Sequence, residues 1–96
     1  PFANDDFAET SKNTDLVNFS ITGNDVDADG NIVAGSVVIT TGSTTQRGGS
    51  VLNNGNGTIT YSPKNGFRGT DTFKYTVNDD LGLTSNEATV RINVLK

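Results

Sequence analysis

The stretch "TDTFKYTVN" (Thr70–Asn78) alternates polar with apolar or aromatic residues, and it decides the fold class. Phe73, Tyr75 and Val77 stand at every second position, which is the period of a strand with one buried face. No window of the chain shows a convincing helical period. The sequence therefore predicts an all-β protein, with further strands in "LVNFSI" (16–21), "SVVITT" (36–41), "GTITYSP" (57–63) and "EATVRINVL" (87–95).

Turn chemistry separates these predicted strands. The segment "VLNNGNGTITY" (51–61) contains two Asn-Gly pairs, and such pairs supply the positive φ angles of a tight hairpin turn. Further turn signals stand at "RGG" (47–49), "NG" (65–66) and "DDLG" (79–82). About seven short strands at this spacing are typical of an antiparallel Greek-key sandwich, which is the architecture that we predict.

Length and first residues indicate how the chain is organised. A chain of 96 residues suits one small domain, so we predict a single domain over residues 1–96. Residues 1–6 are predicted to be an inter-domain linker. Because the sequence opens at "PFANDD" without Met, we expect a piece excised from a longer multidomain protein.

Composition excludes several classes of function. The chain has no Cys and no His, so it lacks thiolate metal ligands, disulfides and the commonest general base, and we expect no enzyme. The net charge of -4 and the scattered basic residues argue against a nucleic-acid partner. No apolar run approaches the roughly 20 residues that span a bilayer, so no membrane insertion is expected.

Acidic residues gather in three short clusters that the strand directions bring to one end of the sandwich. A cluster of Asp residues in one loop is ordinarily solvated turn chemistry, but three clusters at one pole repel each other unless a cation sits among them. Calcium prefers such oxygen ligands in loose geometry. The predicted ligands at this N-terminal pole are Asn4, Asp5, Asp6, Asp25, Asp27, Asp29, Asp79 and Asp80.

The loop "DVDADG" (25–30) looks like the first half of an EF-hand, but it does not complete one. Asp25, Asp27, Asp29 and Gly30 fit the first four acidic and glycine positions of that loop. The final position requires a bidentate Glu, and here it is Ser36. The flanking segments are also predicted strands, so we reject the EF-hand.

The ordered set of these motifs resembles the bacterial cadherin-like repeats, which are cadherin/immunoglobulin-like sandwich modules of tandem arrays. The resemblance rests on "ANDDFAETSKNTDL" (3–16), "FSITGNDVDADGN" (19–31), "GSVLNNGNGTITYSPKNGFRGTDTFKYTVNDDLGLTS" (49–85) and "ATVRINV" (88–94). The run from Gly57 to Asp80 is its most specific part. The resemblance implies a calcium-binding structural or adhesion module of a bacterial surface or secreted protein.

In modules of this kind calcium sits at the junctions between successive domains, so the implied partners are neighbouring repeats of the same chain. The resemblance implies that calcium makes the junctions rigid, and we expect the isolated domain to be a monomer. Glu9 and Asp71 are expected to contribute to a weaker site at the opposite pole. Lys12 stands in "SKNT" (11–14), where such repeats often carry an acid, which weakens that second site further.

A carbohydrate-binding accessory module of a secreted polysaccharide-degrading protein is the alternative, with a polysaccharide or cell-surface ligand as partner. Sugar sites usually need an exposed aromatic platform. Most aromatic residues here stand at the inward phase of a strand, which favours the core, while the assignment stays open for Phe67 and Tyr61. The aromatic residues are Phe2, Phe7, Phe19, Tyr61, Phe67, Phe73 and Tyr75.

Overall fold

The computed structural model describes residues 1–28 and 30–96, and these residues form seven strands in two sheets. One sheet has the strand order β1-β7-β6-β3 and the other has the order β2-β5-β4. The prediction of an all-β sandwich with about seven strands is confirmed. The strands are β1 (Asp6–Ser11), β2 (Leu16–Ser20), β3 (Ile32–Ile39), β4 (Ser50–Asn53), β5 (Thr58–Ser62), β6 (Gly69–Asp79) and β7 (Ala88–Leu95).

The first strand corrects the prediction of a purely antiparallel sandwich. β1 pairs with β7 in parallel, from Asp6 opposite Val90 to Ser11 opposite Leu95. The other strand pairs of both sheets are antiparallel. The turn at 12–15 carries the chain from one sheet to the other, so β1 cannot form a hairpin with β2. β1 instead lies beside β7, which runs in the same direction, and the Greek-key connection stays a prediction.

The core lies between the two sheets and follows the period of two that the sequence shows. Phe73, Tyr75 and Val77 of β6 are buried, as are Ile59 and Tyr61 of β5. Complete burial of a large apolar side chain contributes about 1.5–3 kcal/mol relative to exposure, so this face supplies most of the cohesion of a small domain. Tyr61 is buried in the core, and Phe67 is partly buried and packs against that core. Both aromatic residues whose assignment the sequence left open therefore belong with the core.

The hairpin predicted at residues 51–61 is confirmed, with β4 and β5 paired from Ser50 opposite Ser62 to Asn53 opposite Ile59. Gly57 has a φ of 87°, and a Cβ there would lie 2.8 Å from the Cβ of Ala34. A side chain at this position would therefore be strained by the backbone and by a neighbouring strand.

The buried carboxylate of Asp71 connects two strands and a loop of the sandwich through hydrogen bonds. Asp71 is 1% exposed, and its Oδ2 accepts hydrogen bonds from the hydroxyls of Tyr61 (2.7 Å) and Thr45. Its Oδ1 accepts hydrogen bonds from the backbone N–H groups of Arg47 (2.8 Å) and Thr72 (2.9 Å). Both carboxylate oxygens are thus engaged by protein donors, and they join β5, β6 and the loop before β4.

Replacing this carboxylate is expected to destabilise the fold. In Asp71→Asn the amide NH2 would face donors, so we expect the free energy of unfolding to fall by about 2–4 kcal/mol. Urea denaturation measures this loss. The matched control is Asp15→Asn in the exposed turn between β1 and β2, with an expected change within about 0.5 kcal/mol. Equal denaturation midpoints for the two variants would contradict the anchoring role.

Candidate metal site at the N-terminal pole

Three carboxylates from two separate parts of the chain meet at the N-terminal pole. Asp27 lies in the loop after β2, Asp79 ends β6, and Asp80 follows it in the turn. Each offers one oxygen, and these oxygens all lie within 4.8 Å of one another. The sequence predicted this convergence from strand direction, and we call Asp27, Asp79 and Asp80 the acidic triad.

The turn after β6 fixes Asp79 in place. The side chain is 3% exposed, and its Oδ1 accepts hydrogen bonds from the backbone N–H groups of Leu81 (2.9 Å) and Leu83 (2.8 Å). Burial alone would raise the pKa of Asp79. The backbone hydrogen bonds from Leu83 and Leu81 oppose this effect. A side-chain hydrogen bond with Asp27 and the positive charge of the amino terminus act in the same direction, and together they hold the pKa of Asp79 below its ordinary value. Asp79 is therefore an anion at neutral pH.

Gly30 lies close to the other two members of the triad. A Cβ at this position would lie 2.5 Å from Asp80 Oδ1 and 3.5 Å from Asp27 Oδ2. Asp80 is held by its neighbour in the loop, since its backbone N–H donates to Asn31 O (3.0 Å) and its Oδ1 accepts from Asn31 N–H (3.3 Å). A side chain at Gly30 would therefore collide with Asp80, so glycine allows this carboxylate to approach the loop closely.

A positive charge already lies at this pole. The amino group of Pro1 is 3.8 Å from Asp27 Oδ1, and both side chains are largely buried. In the isolated 96-residue chain this ammonium partly offsets the charges of Asp27 and Asp79. Carboxylate oxygens are the hard ligands that calcium prefers, with loop carbonyls and water able to complete its 6–8 ligands. The residues present therefore fit a calcium ion by charge and by ligand chemistry.

A second acidic group surrounds the buried hydroxyl of Tyr75. This hydroxyl lies 3.2 Å from Asp6 Oδ2 and 2.8 Å from Asp25 Oδ2, and also within reach of the carbonyls of Ile21 (2.7 Å) and Asn4 (3.3 Å). A phenol has one proton to donate, so it satisfies one of these acceptors at a time. The two carboxylates consequently compete for it, and we call Asp6, Asp25 and Tyr75 the tyrosine cluster.

The electrostatics of the tyrosine cluster favour a retained proton. Burial raises the pKa of Asp6 to about 7; the charges of Asp25 and Asp5 add to this effect, while the hydrogen bond from Tyr75 opposes it. Burial also raises the pKa of Asp25, although hydrogen bonds from Asn4 N–H and Tyr75 oppose this. A proton shared among these groups removes part of the repulsion that two buried anions would suffer.

The remaining residues predicted for this pole take other places. Asp5 lies on the outer face, where its Oδ1 accepts from Thr89 N–H (3.0 Å) and its Oδ2 lies 3.4 Å from Arg91 Nη1. Asn4 donates from its side chain to Asn24 O (2.5 Å). Asp29 lies outside the described residues. The structure therefore divides the eight predicted ligands, and it brings Asp27, Asp79 and Asp80 together as one group.

The structure does not bring the two predicted ligands of the opposite pole together. Glu9 lies opposite Asn93, whereas Asp71 lies opposite Ile92, one position along β7. Successive positions of a strand point to opposite faces, so Glu9 is exposed on the outer face while Asp71 is buried in the core. This corrects the expectation of a site that the two residues would share.

The sequence interpretation missed the role of Tyr75, which it assigned to the core alone. The inward phase of this residue was predicted correctly, but a buried tyrosine hydroxyl also needs a hydrogen-bond partner. Its position four residues before Asp79, on the same face of β6, is the signal that could have placed it near the acidic loops.

Comparison with known proteins gives the family. The model of the bacterial cadherin-like domain matches residues 1–96, the whole chain. The chain belongs to the bacterial cadherin-like domain family. Domains of this family are typically extracellular or at the cell surface, and the match supports an extracellular repeat module. Among the described residues, no helix is long and apolar enough to cross a membrane. A search of the curated proteins found no match.

Solved structures support the fold. One similar chain is the 2,6-sialyltransferase of Vibrionaceae Photobacterium sp. JT-ISH-224, crystallised in a ternary complex with CMP and lactose. The TM-score is 0.54 at 14% identity, and the match covers 98% of this chain but 18% of the enzyme. This bacterial cadherin-like domain thus spans less than a fifth of that protein, and the likeness concerns the fold alone.

The tyrosine cluster predicts a characteristic pH dependence. Because the pKa of Asp6 is raised from 3.8 to about 7, its protonated form is favoured in the folded state. The contribution of Asp6 to stability is therefore fully present below about pH 4, is lost as the pH rises through about 7, and is then constant. Relative to Asp6→Asn, the wild-type free energy of unfolding should fall by about 2–4 kcal/mol over this window.

Urea denaturation from pH 4 to pH 8, with a chelator present to exclude metal effects, measures this difference. Asp15→Asn is the control, because it removes an exposed carboxylate of the same type. If plots of the free energy of unfolding against pH for wild type and Asp6→Asn stay parallel over the whole range, the pKa of Asp6 is not raised in the folded state and the prediction is wrong.

Proposed function

We propose that this domain binds calcium at the acidic triad and serves as an extracellular structural or adhesion module. The observation that carries the proposal is the convergence of Asp27, Asp79 and Asp80, whose oxygens lie within 4.8 Å of one another. Like charges at this separation repel in a partly buried site. A bound calcium ion would neutralise them, and Gly30 allows Asp80 to approach the loop that carries Asp27.

The same site connects to the N-terminal segment of the chain. Val26, next to Asp27, forms an antiparallel bridge with Phe2 through hydrogen bonds of 2.7 and 2.9 Å. Ala3 exchanges hydrogen bonds with the side chain of Asn86, both of 2.9 Å. A cation that holds Asp27 against Asp79 and Asp80 therefore also holds residues 1–4 against the domain.

This coupling supports a mechanical role. Residues 1–6 were predicted to lead from a neighbouring module, and calcium would fix their direction relative to the sandwich. Without calcium the carboxylates of the triad would repel each other, and the same N-terminal segment would be held less firmly. In a surface or secreted protein built from successive repeats, the bound ion would thus convert a flexible junction into a rigid one.

Calcium is expected to stabilise the isolated domain. Binding to the folded form adds about 2.7 kcal/mol to the free energy of unfolding when free calcium exceeds the Kd about a hundredfold. Thermal melts in millimolar calcium and in chelator, with calorimetric titration, measure the effect. Asp27→Asn and Asp80→Asn should weaken binding about tenfold or more, since each removes a charged ligand.

Asp15→Asn is the matched control, because it has the same change of charge at an exposed turn away from the triad. Its calcium affinity should equal that of wild type. Identical melting temperatures in calcium and chelator, or equal loss of affinity in all three variants, would contradict a site at the triad.

The ammonium of Pro1 is expected to compete with calcium. Extending the chain by a Gly-Ser pair before Pro1 replaces that charge, now 3.8 Å from Asp27 Oδ1, with a neutral amide. We expect calcium affinity to rise by about threefold or more, in keeping with loss of a charge repulsion of about 0.7 kcal/mol or more in a solvated site. Calorimetric titration of both chains tests this, and an unchanged or lower affinity would contradict the competition.

A further inference from the structure

A groove on the outer face of the four-stranded sheet lies apart from the acidic triad. Its volume is about 560 Å³, within the usual range for small-molecule sites. It crosses β1, β7 and β6, and the triad contributes no residue to it. The lining residues are Phe7, Ala8, Glu9, Thr70, Arg91 and Asn93.

Phe7 is an aromatic residue that the core does not use. The side chain is 71% exposed, although the sequence pattern favoured the core for most of the aromatic residues. It stands at the outward phase of β1, next to the buried Asp6. Exposed aromatic rings at the edge of a concave surface offer a large apolar contact at low cost in conformational entropy.

The ring of Phe7 is held in position by its neighbours. Arg91 lies directly opposite on β7, with its guanidinium 5.9 Å from the ring centroid. Arg91 in turn lies 3.4 Å from Asp5, whose carboxylate also accepts a hydrogen bond from Thr89 N–H (3.0 Å). Asp5, which the sequence suggested as a metal ligand, therefore positions the arginine beside the ring.

The rest of the groove is polar and regularly spaced. Glu9, Asn93 and Thr70 form one row across the three strands, two residues from the row that contains Phe7 and Arg91. This row places a carboxylate, a carboxamide and a hydroxyl on the same outer face as the ring. Together they offer both donors and acceptors of hydrogen bonds beside one apolar surface.

We propose that this groove binds a neutral saccharide, with a pyranose ring stacked on Phe7 and its hydroxyls hydrogen-bonded to Glu9, Asn93 and Thr70. A pyranose has an apolar face of C–H groups and a rim of hydroxyls, which matches one aromatic ring bordered by polar side chains. Arg91 donates to the same hydroxyl rim. The opposite charges of Glu9 and Arg91 favour an uncharged ligand.

The surroundings of the groove disfavour other occupants. The neighbouring outward residues Thr72, Lys74 and Thr89 are polar, and the exposed apolar side chains beside them, Phe7 and Leu95, are separated by polar residues, so the groove lacks the continuous apolar centre that a protein partner needs. Asp5 and Glu9, with a net charge of -4 for the chain, disfavour a nucleic acid. A saccharide is the ligand whose alternation of apolar and hydroxyl surface fits these residues.

Titration of the 15N-labelled chain with cellohexaose, xylohexaose, mannohexaose and laminarihexaose tests the proposal by amide chemical shifts. At least one hexasaccharide should shift the amides of Phe7, Glu9, Thr70 and Asn93, with a Kd of about 1 mM or below. Phe7→Ala should weaken that binding about tenfold or more, and Phe7→Tyr should retain it. Leu52→Ala is the matched control, an exposed apolar residue of the other sheet, and should bind as wild type does.

Asn93→Ala gives a second, independent variant and should also weaken binding, because it removes a hydrogen-bonding side chain from an exposed position. The titrations are repeated in chelator, where binding should persist, since the triad and the groove share no residue. Shifts confined to other surfaces, or no shift with any of the four sugars at about 10 mM, would overturn the proposal. Equal affinity of Phe7→Ala and wild type would also overturn it.

Discussion

The hydroxyl of Tyr75 joins the parts of the domain that the N-terminal pole depends on. It reaches carbonyls or carboxylates of the N-terminal segment and of the loop after β2, from a position at the centre of β6. Two peripheral segments are thereby attached to a strand whose inward face lies in the core. Because Asp25 and Asp27 flank Val26, placing Asp25 beside Tyr75 also carries Asp27 toward Asp79.

β6 organises the domain because its period of two holds polar anchors as well as core residues. Asp71, Tyr75 and Asp79 all face inward, at intervals of four residues along one strand. Asp71 binds the loop before β4, Tyr75 binds the N-terminal segment, and Asp79 belongs to the acidic triad. The most specific part of the sequence pattern is thus also the part that places both structural and candidate metal-binding carboxylates.

The strands and the hairpin at 51–61 could be predicted from the sequence because they depend on local properties, namely the period of apolar residues and the Asn-Gly turns. The convergence of Asp27 with Asp79 and Asp80 could also be predicted, since it follows from strand direction. The parallel pairing of β1 arises because β1 joins the sheet that contains β7. The alternation of residues within β1 does not indicate which strand lies next to it. The separation of Glu9 from Asp71 likewise depends on register across three strands.

The acidic residues of this pole show three different ways of tolerating negative charge. Asp5 lies beside Arg91, while Asp6 and Asp25 lie around one phenol and favour a retained proton. Sequence alone treats these residues as one group, because it gives the number of carboxylates but not their surroundings. The acidic triad differs from both arrangements: backbone hydrogen bonds keep Asp79 ionised, and oxygens of Asp27 and Asp80 lie within 4.8 Å of it. It is therefore the triad, and not the acidic pole as a whole, that we propose as the calcium site.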